Sequence, residues 1–197
     1  MNLTVIPLTS KKMNGKFSFF DELKKNFQNN GFVVKNGDVI VISSKYISIS
    51  QGRVLKIDNS RVCDKAKEIS KKFNSTEEFM EIVFRESDEI LGGVAGFVMS
   101  TTDGILAPNA GIDKSNSKGT EIILYPNDPY RFAEELKRRF FLESKIHVGI
   151  IIVDSRLMPT RIGTTGVTIA CAGLEPTKDL RGEKDLDGNP LKVTFQA

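Results

Sequence analysis

The feature that most constrains this chain is a six-residue apolar run, Val148–Val153, which leads directly into Asp154-Ser155-Arg156. A run of this length fits a buried β-strand and is far too short to span a bilayer. A carboxylate at the end of a buried strand is unfavourable unless it is paired with a cation or bound to a metal ion. The sequence therefore predicts a sheet with a charged site where this strand ends.

Two interpretations of Asp154 remain open at this point. In the first, the guanidinium of Arg156 or Arg161 pairs with its carboxylate inside the protein. In the second, a ligand binds at the strand end, as ligands tend to do in sheet proteins. Asp154 and the Ser155 hydroxyl would then offer oxygen atoms, and the two arginines would match phosphate or carboxylate groups.

A second candidate site is the polar loop Pro108–Thr120, which reads PNAGIDKSNSKGT. A plain turn needs only one or two such residues. Asp113 supplies a carboxylate and Asn116 supplies an amide, while the nearby glycines allow the backbone to approach a ligand. Hard cations such as Mg²⁺ bind carboxylate oxygens together with substrate phosphates. The loop is therefore either a metal and nucleotide loop or a capped turn of the Asx type.

A third candidate site follows the strand of GDVIVISSKYIS, which runs into Ser43-Ser44-Lys45. Hydroxyl and ammonium groups at a strand end can hold phosphate oxygens, although an ordinary solvated strand end has the same composition. Neither the G-x-x-x-x-G-K-[ST] loop nor the G-x-G-x-x-G turn occurs in the chain, so the usual nucleotide motifs are absent. Together, the three sites offer the groups needed to bind a metal-bridged phosphate.

The remaining segments predict the fold class. Helices are expected to begin near Ser18, Ser75 and Asp128, with a shorter helix over Ala66–Phe73. Ser75 and Glu78 are expected to form a capping box. Strands are expected over Leu3–Pro7, Asp38–Ile42, Val94–Ser100, Ile122–Leu124, His147–Val153, Val167–Ala172 and Leu191–Phe195. Because strands outnumber helices and do not alternate regularly with them, we predict an α+β fold with mixed, largely antiparallel sheets and packed helices. No linker marks a boundary, so we expect a single domain over residues 1–197.

The composition and charge of the chain limit the kinds of partner that it is expected to bind. The net charge of +3 is too small to argue for nucleic acid. No apolar run reaches the length of a membrane span, and the N-terminus lacks the pattern of a signal peptide, so we expect a cytoplasmic protein without a membrane partner. Cys63 and Cys171 have no metal or redox partner nearby in sequence and are expected to be reduced. His147, the only histidine, is expected to be structural.

Six segments follow one another in an order that is typical of a known family: GDVIVISSKYIS, RESDEIL, NAGIDKSN, IIVDSR, RIGTTGVTIACAG and KDLRGEKDLDGNPLKVT. This order resembles the coenzyme F420-0:L-glutamate ligase family. The resemblance implies an α+β enzyme, working as a homodimer, that joins L-glutamate to the lactyl-phosphate tail of F420-0. It also implies that GTP drives the reaction through an acyl phosphate, with Mg²⁺ or Mn²⁺ and a monovalent cation such as K⁺.

The resemblance also assigns roles to individual residues. It places metal ligands at Asp113, Asp154 and Ser155. It places nucleotide contacts at Ser44 and Asn116. No residue is assigned as a catalytic acid, base or nucleophile, which agrees with phosphoryl transfer that depends on positioned metal and positive charge.

The chain departs from the family pattern at several positions. Ile49 stands where the family has a nucleotide-contacting lysine, and the earlier Lys45 is an open candidate to replace it. Arg156 stands where archaeal enzymes often have asparagine, whereas Arg161 matches a family arginine with a phosphate or substrate role. The sequence stops at Ala197, while family members continue into a part that supplies more of the GTP site. The alternative function is therefore a nucleotide- or metal-binding paralogue without turnover.

Overall fold

The computed structural model describes residues 3–57, 61–114, 121–158 and 162–197. Helices and strands follow one another in these ranges. In chain order they are α1 (Phe19–Asn29), β1 (Val39–Ser43), α2 (Ser44–Gln51), β2 (Val54–Lys56), α3 (Asp64–Lys72), α4 (Glu77–Glu86), β3 (Glu89–Val94), β4 (Phe97–Thr102), β5 (Ile105–Pro108), β6 (Glu121–Ile123), α5 (Pro129–Ser144), β7 (Gly149–Leu157), β8 (Thr164–Ala172), β9 (Lys178–Asp179) and β10 (Phe195–Gln196).

The apolar run lies in β7, the central strand of a three-stranded sheet with the order β1-β7-β8. β1 runs parallel to β7, and their pairing ends at Ser43 opposite Val153. β8 runs antiparallel, with a bulge after Ile152. Because alternate residues of a strand face the same side, Ile150 and Ile152 are both fully buried. The parallel pairing brings the carboxyl ends of β1 and β7 to the same edge of the sheet.

Helices α1 and α5 supply most of the side chains that pack with this sheet. Phe20 and Phe140 meet edge to face, with their ring centroids 5.1 Å apart. Both belong to one buried cluster with Ile150 and Ile152 of β7. Burial of each large apolar side chain stabilises the fold by about 2 to 3 kcal/mol, so this aromatic layer fixes the sheet against the two helices.

The other described strands and helices form a second core. β3, β4 and β5 make an antiparallel sheet, and β2 pairs with β6. Met80 and Val83 of α4 are completely buried in this core, together with Ala66 of α3 and Val98 of β4. The chain leaves β5 through a short 3-10 turn, Asn109–Gly111, so this core positions the start of the polar loop.

The predicted α+β class is confirmed, with five helices and several mostly antiparallel sheets in the described ranges. The helix predicted at Asp128 is confirmed: its carboxylate caps α5 by accepting a hydrogen bond of 3.1 Å from the Arg131 N–H. None of the helices in these ranges is long and apolar enough to cross a membrane. The single domain stays a prediction.

Several local predictions are wrong. The capping box at Ser75 is not formed, because the residue that precedes α4 is Thr76. The strand predicted over Val94–Ser100 is instead parts of β3 and β4, because a tight turn reverses the chain between them. Leu3–Pro7 forms no strand, and within Leu191–Phe195 only the last residue belongs to one. Alternating apolar residues predict a strand only where a partner strand is available.

We expect Asp128→Ala to lower the free energy of unfolding by about 1 to 2 kcal/mol. The substitution removes the acceptor that caps α5, and it places alanine at a left-handed φ of 41°. Asp128→Asn is the matched control, because asparagine keeps an oxygen acceptor and tolerates this conformation. Urea denaturation would measure both variants. Equal destabilisation by alanine and asparagine would contradict a capping role.

Candidate functional site

The site begins at α2, a helix that the sequence analysis missed. β1 ends at Ser43, and α2 starts at the next residue. Alternation of serine and isoleucine over Tyr46–Gln51 is typical of a strand, which explains the error. Gly52 was the available signal, because it ends the helix with a left-handed φ of 77°. Ser44 and Lys45 therefore lie in the first turn of a helix, the end at which the helix dipole favours negative charge.

β7 does not end at Val153, as the sequence predicts. It continues to Leu157, because β8 pairs with it as far as Thr164. Only β1 stops at this level, where its chain turns into α2. Asp154 thus lies one residue beyond the end of the parallel pair, on a strand that continues past it, and it faces the beginning of α2.

Asp154 is bound from two sides. The Ser44 hydroxyl donates a hydrogen bond of 2.7 Å to Oδ1 of Asp154. Arg156 Nε donates a hydrogen bond of 2.9 Å to Oδ2, and its Nη2 lies 2.8 Å from the same oxygen. The internal ion pair with Arg156, one of the two interpretations of Asp154, is therefore confirmed. Each carboxylate oxygen has two lone pairs, so the pair leaves capacity for a further ligand.

Asp113 also lies at the start of α2, but it is held there by the second core. Its backbone exchanges two hydrogen bonds with Ile123, of 2.8 and 2.9 Å, which fixes this residue beside β6. Its Oδ2 lies 2.5 Å from Lys45 Nζ. Because Ser44 and Lys45 are consecutive, the start of α2 contacts Asp154 through one residue and Asp113 through the next. The structure thus brings together side chains from all three candidate sites.

Some of the polar residues in and around the loop stabilise the turn that precedes Asp113. Asn109, Ala110 and Gly111 all have left-handed φ angles, of 50°, 56° and 67°. The Asn109 side chain accepts a hydrogen bond of 2.9 Å from the Val98 N–H, and the Ser100 hydroxyl accepts one of 2.9 Å from the Ala110 N–H. These polar residues therefore hold an unusual backbone conformation against β4, and they direct the chain toward Asp113.

Arg156 and Tyr125 form the buried side of the site. Arg156 is only 4% exposed, and its Nη1 donates a hydrogen bond of 2.5 Å to the Leu106 carbonyl of β5. Burial raises the pKa of Tyr125 to about 12, and the neighbouring Arg156 guanidinium opposes that shift. Tyr125 is therefore a neutral phenol at pH 7. Sequence reasoning missed Tyr125, because nothing near it in the sequence marks it as part of a site.

The other predicted site residues are not all placed beside α2. Ser155 is exposed and lies between Asp154 and Arg156 on β7, so its side chain leaves the opposite face of the strand. The structure does not bring the Ser155 hydroxyl next to Ser44, and its role as a metal ligand stays a prediction. Asn116 and Arg161 lie outside the described residues, so their roles also stay predictions.

The charges of the described site balance. The carboxylates of Asp113 and Asp154 are negative, and Lys45 and Arg156 each contribute one positive charge in contact with them. No group of three or more His, Cys, Asp or Glu side chains that could hold a metal ion occurs in the described ranges. Lys45 and the first turn of α2 offer positive charge at the described site, and Asp113 and Asp154 offer carboxylate oxygens.

Comparison with known proteins identifies the family. The family model described as F420-0:Gamma-glutamyl ligase matches residues 9–197. The chain belongs to this ligase family. Relatives named Coenzyme F420:L-glutamate ligase from Archaeoglobus fulgidus, Methanopyrus kandleri and Natronomonas pharaonis are 35%, 32% and 34% identical to it. The alignments cover 82%, 83% and 82% of this chain but only 65%, 66% and 64% of the relatives. The family predicted from the motifs is confirmed, and the chain spans about two thirds of the length of these relatives.

We expect Tyr125 to make the stability of this ligase-family chain fall between pH 10 and pH 12. An unfolded tyrosine ionises near pH 10, whereas burial raises the pKa of Tyr125 in the folded chain to about 12. The stabilisation is complete below pH 10 and is lost as the pH rises through 12, because the unfolded state loses its proton first. It amounts to about 3 kcal/mol.

Urea denaturation of the wild type and of Tyr125→Phe from pH 9 to pH 12 would measure this effect. The difference in unfolding free energy between the two proteins should change across that range. Tyr130→Phe is the control, since Tyr130 is 54% exposed. A difference between wild type and Tyr125→Phe that stays constant with pH would contradict the prediction.

Proposed function

We propose that this chain carries out GTP-dependent ligation of L-glutamate to the lactyl-phosphate tail of coenzyme F420-0. The observation that carries the proposal is the meeting of Asp113 and Asp154 at Ser44 and Lys45, in a chain of the F420-0:Gamma-glutamyl ligase family. The names of the curated relatives support glutamate and F420 as the chemical partners. GTP, L-glutamate, F420-0 and a second copy of the chain are the proposed partners.

The proposed reaction has two steps. In the first, a terminal carboxylate oxygen of F420-0 takes the γ-phosphoryl group of GTP, so an acyl phosphate forms and GDP leaves. In the second, the amine of glutamate attacks the acyl carbon, loses a proton and forms the amide, and inorganic phosphate leaves. Phosphoryl transfer of this kind needs aligned groups and stabilised negative charge more than covalent help from the protein.

The residues at the start of α2 match the first step. Lys45 places an ammonium group in the first turn of the helix, where the helix dipole also favours negative charge. Both favour phosphate oxygens. The Ser44 hydroxyl is committed to Asp154, so its part in the proposed site is to hold that carboxylate beside the phosphate position. This arrangement supports Lys45 as the replacement for the family lysine at Ile49.

Asp113 and Asp154 would hold a divalent cation, Mg²⁺ or Mn²⁺, in this proposal. Their carboxylate oxygens are the donors that such hard ions prefer, and Mg²⁺ usually binds through one or two carboxylates together with phosphates. The bound ion would neutralise charge on the phosphoryl oxygens. Each of the two carboxylates already has a cation in contact with it, Lys45 at Asp113 and Arg156 at Asp154. The donor set therefore fits a cation that arrives with nucleotide phosphates.

The ligase proposal predicts turnover that depends on every component. Purified protein with GTP, Mn²⁺, L-glutamate and F420-0 should release GDP and form a product that is heavier by one glutamate residue, as detected by mass spectrometry. Asp154→Asn should abolish both, because it removes one of the two acidic ligands. Asp64→Asn is the matched control, since Asp64 lies on α3 with a fully exposed side chain. Release of GDP that does not depend on glutamate would contradict ligation.

The charge balance predicts that metal and nucleotide bind together. Calorimetric titration with Mn²⁺ should show at least about tenfold tighter binding when GDP is present than when it is absent. The same linkage requires GDP to bind more tightly by the same factor when Mn²⁺ is present. Asp113→Asn should remove the linkage, and Asp64→Asn should leave it intact. Equally tight Mn²⁺ binding with and without GDP would contradict this account of the site.

The second candidate function is a nucleotide- and metal-binding paralogue without turnover. The observation that favours it is the internal pairing of both aspartates with cations, Asp113 with Lys45 and Asp154 with Arg156. Linked binding of Mn²⁺ and GDP without glutamate-dependent GDP release would support this function over the ligase. The two experiments above therefore separate the two candidates.

A further inference from the structure

We propose that Arg156 is a positioning residue that sets the placement of Asp154 relative to Asp113, an inference that rests on the function proposed above. Its side chain is only 3% exposed, so it cannot contact a substrate directly without rearrangement of the site. A buried guanidinium is tolerated only when its charge is paired. Here Asp154 pairs with the charge, Nε and Nη1 donate hydrogen bonds, and Nη2 is buried without one. The acceptors that Arg156 uses lie on the two segments that carry the aspartates.

The first contact fixes the orientation of Asp154. Nε and Nη2 of Arg156 both approach Oδ2, at 2.9 and 2.8 Å. Oδ1 is thereby left to accept the hydrogen bond of 2.7 Å from Ser44. Rotation of an aspartate carboxylate about its last torsion is normally broad. Here each oxygen has its own donor, so one oxygen faces the interior and the other faces the start of α2.

The second contact ties the strand of Asp154 to the strand that leads to Asp113. β5 and β7 belong to different sheets and form no strand pairing with each other. Arg156 Nη1 bridges them by donating a hydrogen bond of 2.5 Å to the Leu106 carbonyl of β5. From Leu106 the chain passes through the turn Asn109–Gly111, which is hydrogen-bonded to β4, and then reaches Asp113.

Arg156 therefore contacts Asp154 directly, and it also contacts the strand that leads to Asp113. If Arg156 is shortened, the carboxylate of Asp154 can rotate, and β5 is no longer held to β7 at Leu106. Groups that orient a metal ligand without touching the metal typically contribute about 10- to 100-fold to metal affinity. The loss should therefore appear in binding that depends on the cation, while nucleotide binding through Lys45 and the α2 N-terminus should be preserved.

The test is calorimetric titration of GDP, with and without Mn²⁺, on wild type, Arg156→Lys and Arg156→Gln. Lysine keeps the charge, but a single nitrogen cannot reach both Asp154 and Leu106. In both variants the gain in GDP affinity that Mn²⁺ gives, at least about tenfold in the wild type, should be lost, and the affinity in the absence of Mn²⁺ should be unchanged. Arg131→Lys is the control. Like Arg156, Arg131 donates from Nε to a carboxylate, that of Glu135, at 2.8 Å, but it lies on α5 and takes no part in the proposed site.

The outcomes separate this inference from the proposed function. If GDP binding to the wild type does not depend on Mn²⁺, the proposed cation site is contradicted, and the inference about Arg156 is contradicted with it. Wild type with Mn²⁺-dependent binding that both Arg156 variants retain would overturn the inference alone. Equal weakening of GDP binding with and without Mn²⁺ would also overturn it, because that result indicates general damage to the fold. If Arg156→Lys does not fold, the glutamine variant decides between these results.

Discussion

The rest of the site depends on the carboxylate of Asp154, which is held between the Ser44 hydroxyl and the Arg156 guanidinium. A negative charge next to a buried strand is unfavourable without such partners. Ser44 is available there only because β1 ends one residue earlier and turns directly into α2. Arg156 is available because β7 continues beyond its apolar run. The lengths of two neighbouring strands therefore determine whether this charge can be accommodated.

The same arrangement joins two separately packed cores. One core contains the aromatic layer of α1 and α5 with β7, and the other contains α3 and α4 with β4 and β6. Polar contacts connect them at the site, through Lys45 with Asp113 and through Arg156 with Leu106. Hydrogen bonds and ion pairs depend on direction more strongly than apolar packing does, so these contacts fix Lys45 beside Asp113 and Arg156 beside the Leu106 carbonyl. The neutral Tyr125 phenol completes the buried side without adding charge.

Much of the site, but not its geometry, could be predicted from the sequence. Ser44, Asp113 and Asp154 could be identified because they are polar residues close to apolar strands. A charge beside a buried strand is unfavourable unless it has a partner. The helix α2 was missed because its serine and isoleucine alternation has the period of a strand, and Gly52 at its end was the available local signal of a helix. The burial of Arg156 and Tyr125 also depends on which strands meet in space. The α+β class followed from the number and order of the segments, whereas strand ends depended on partners far away in the sequence.

The measurement that tests this account most directly is an anomalous diffraction map of a crystal of the protein grown with Mn²⁺ and GDP. The account predicts a manganese peak between Asp113 and Asp154, bonded to Asp154 Oδ1, with the GDP phosphates beside Lys45 and the first turn of α2. The Arg156 guanidinium should remain on Asp154 Oδ2 and on the Leu106 carbonyl. A manganese peak that touches neither aspartate, or phosphates bound away from α2, would contradict the central claim.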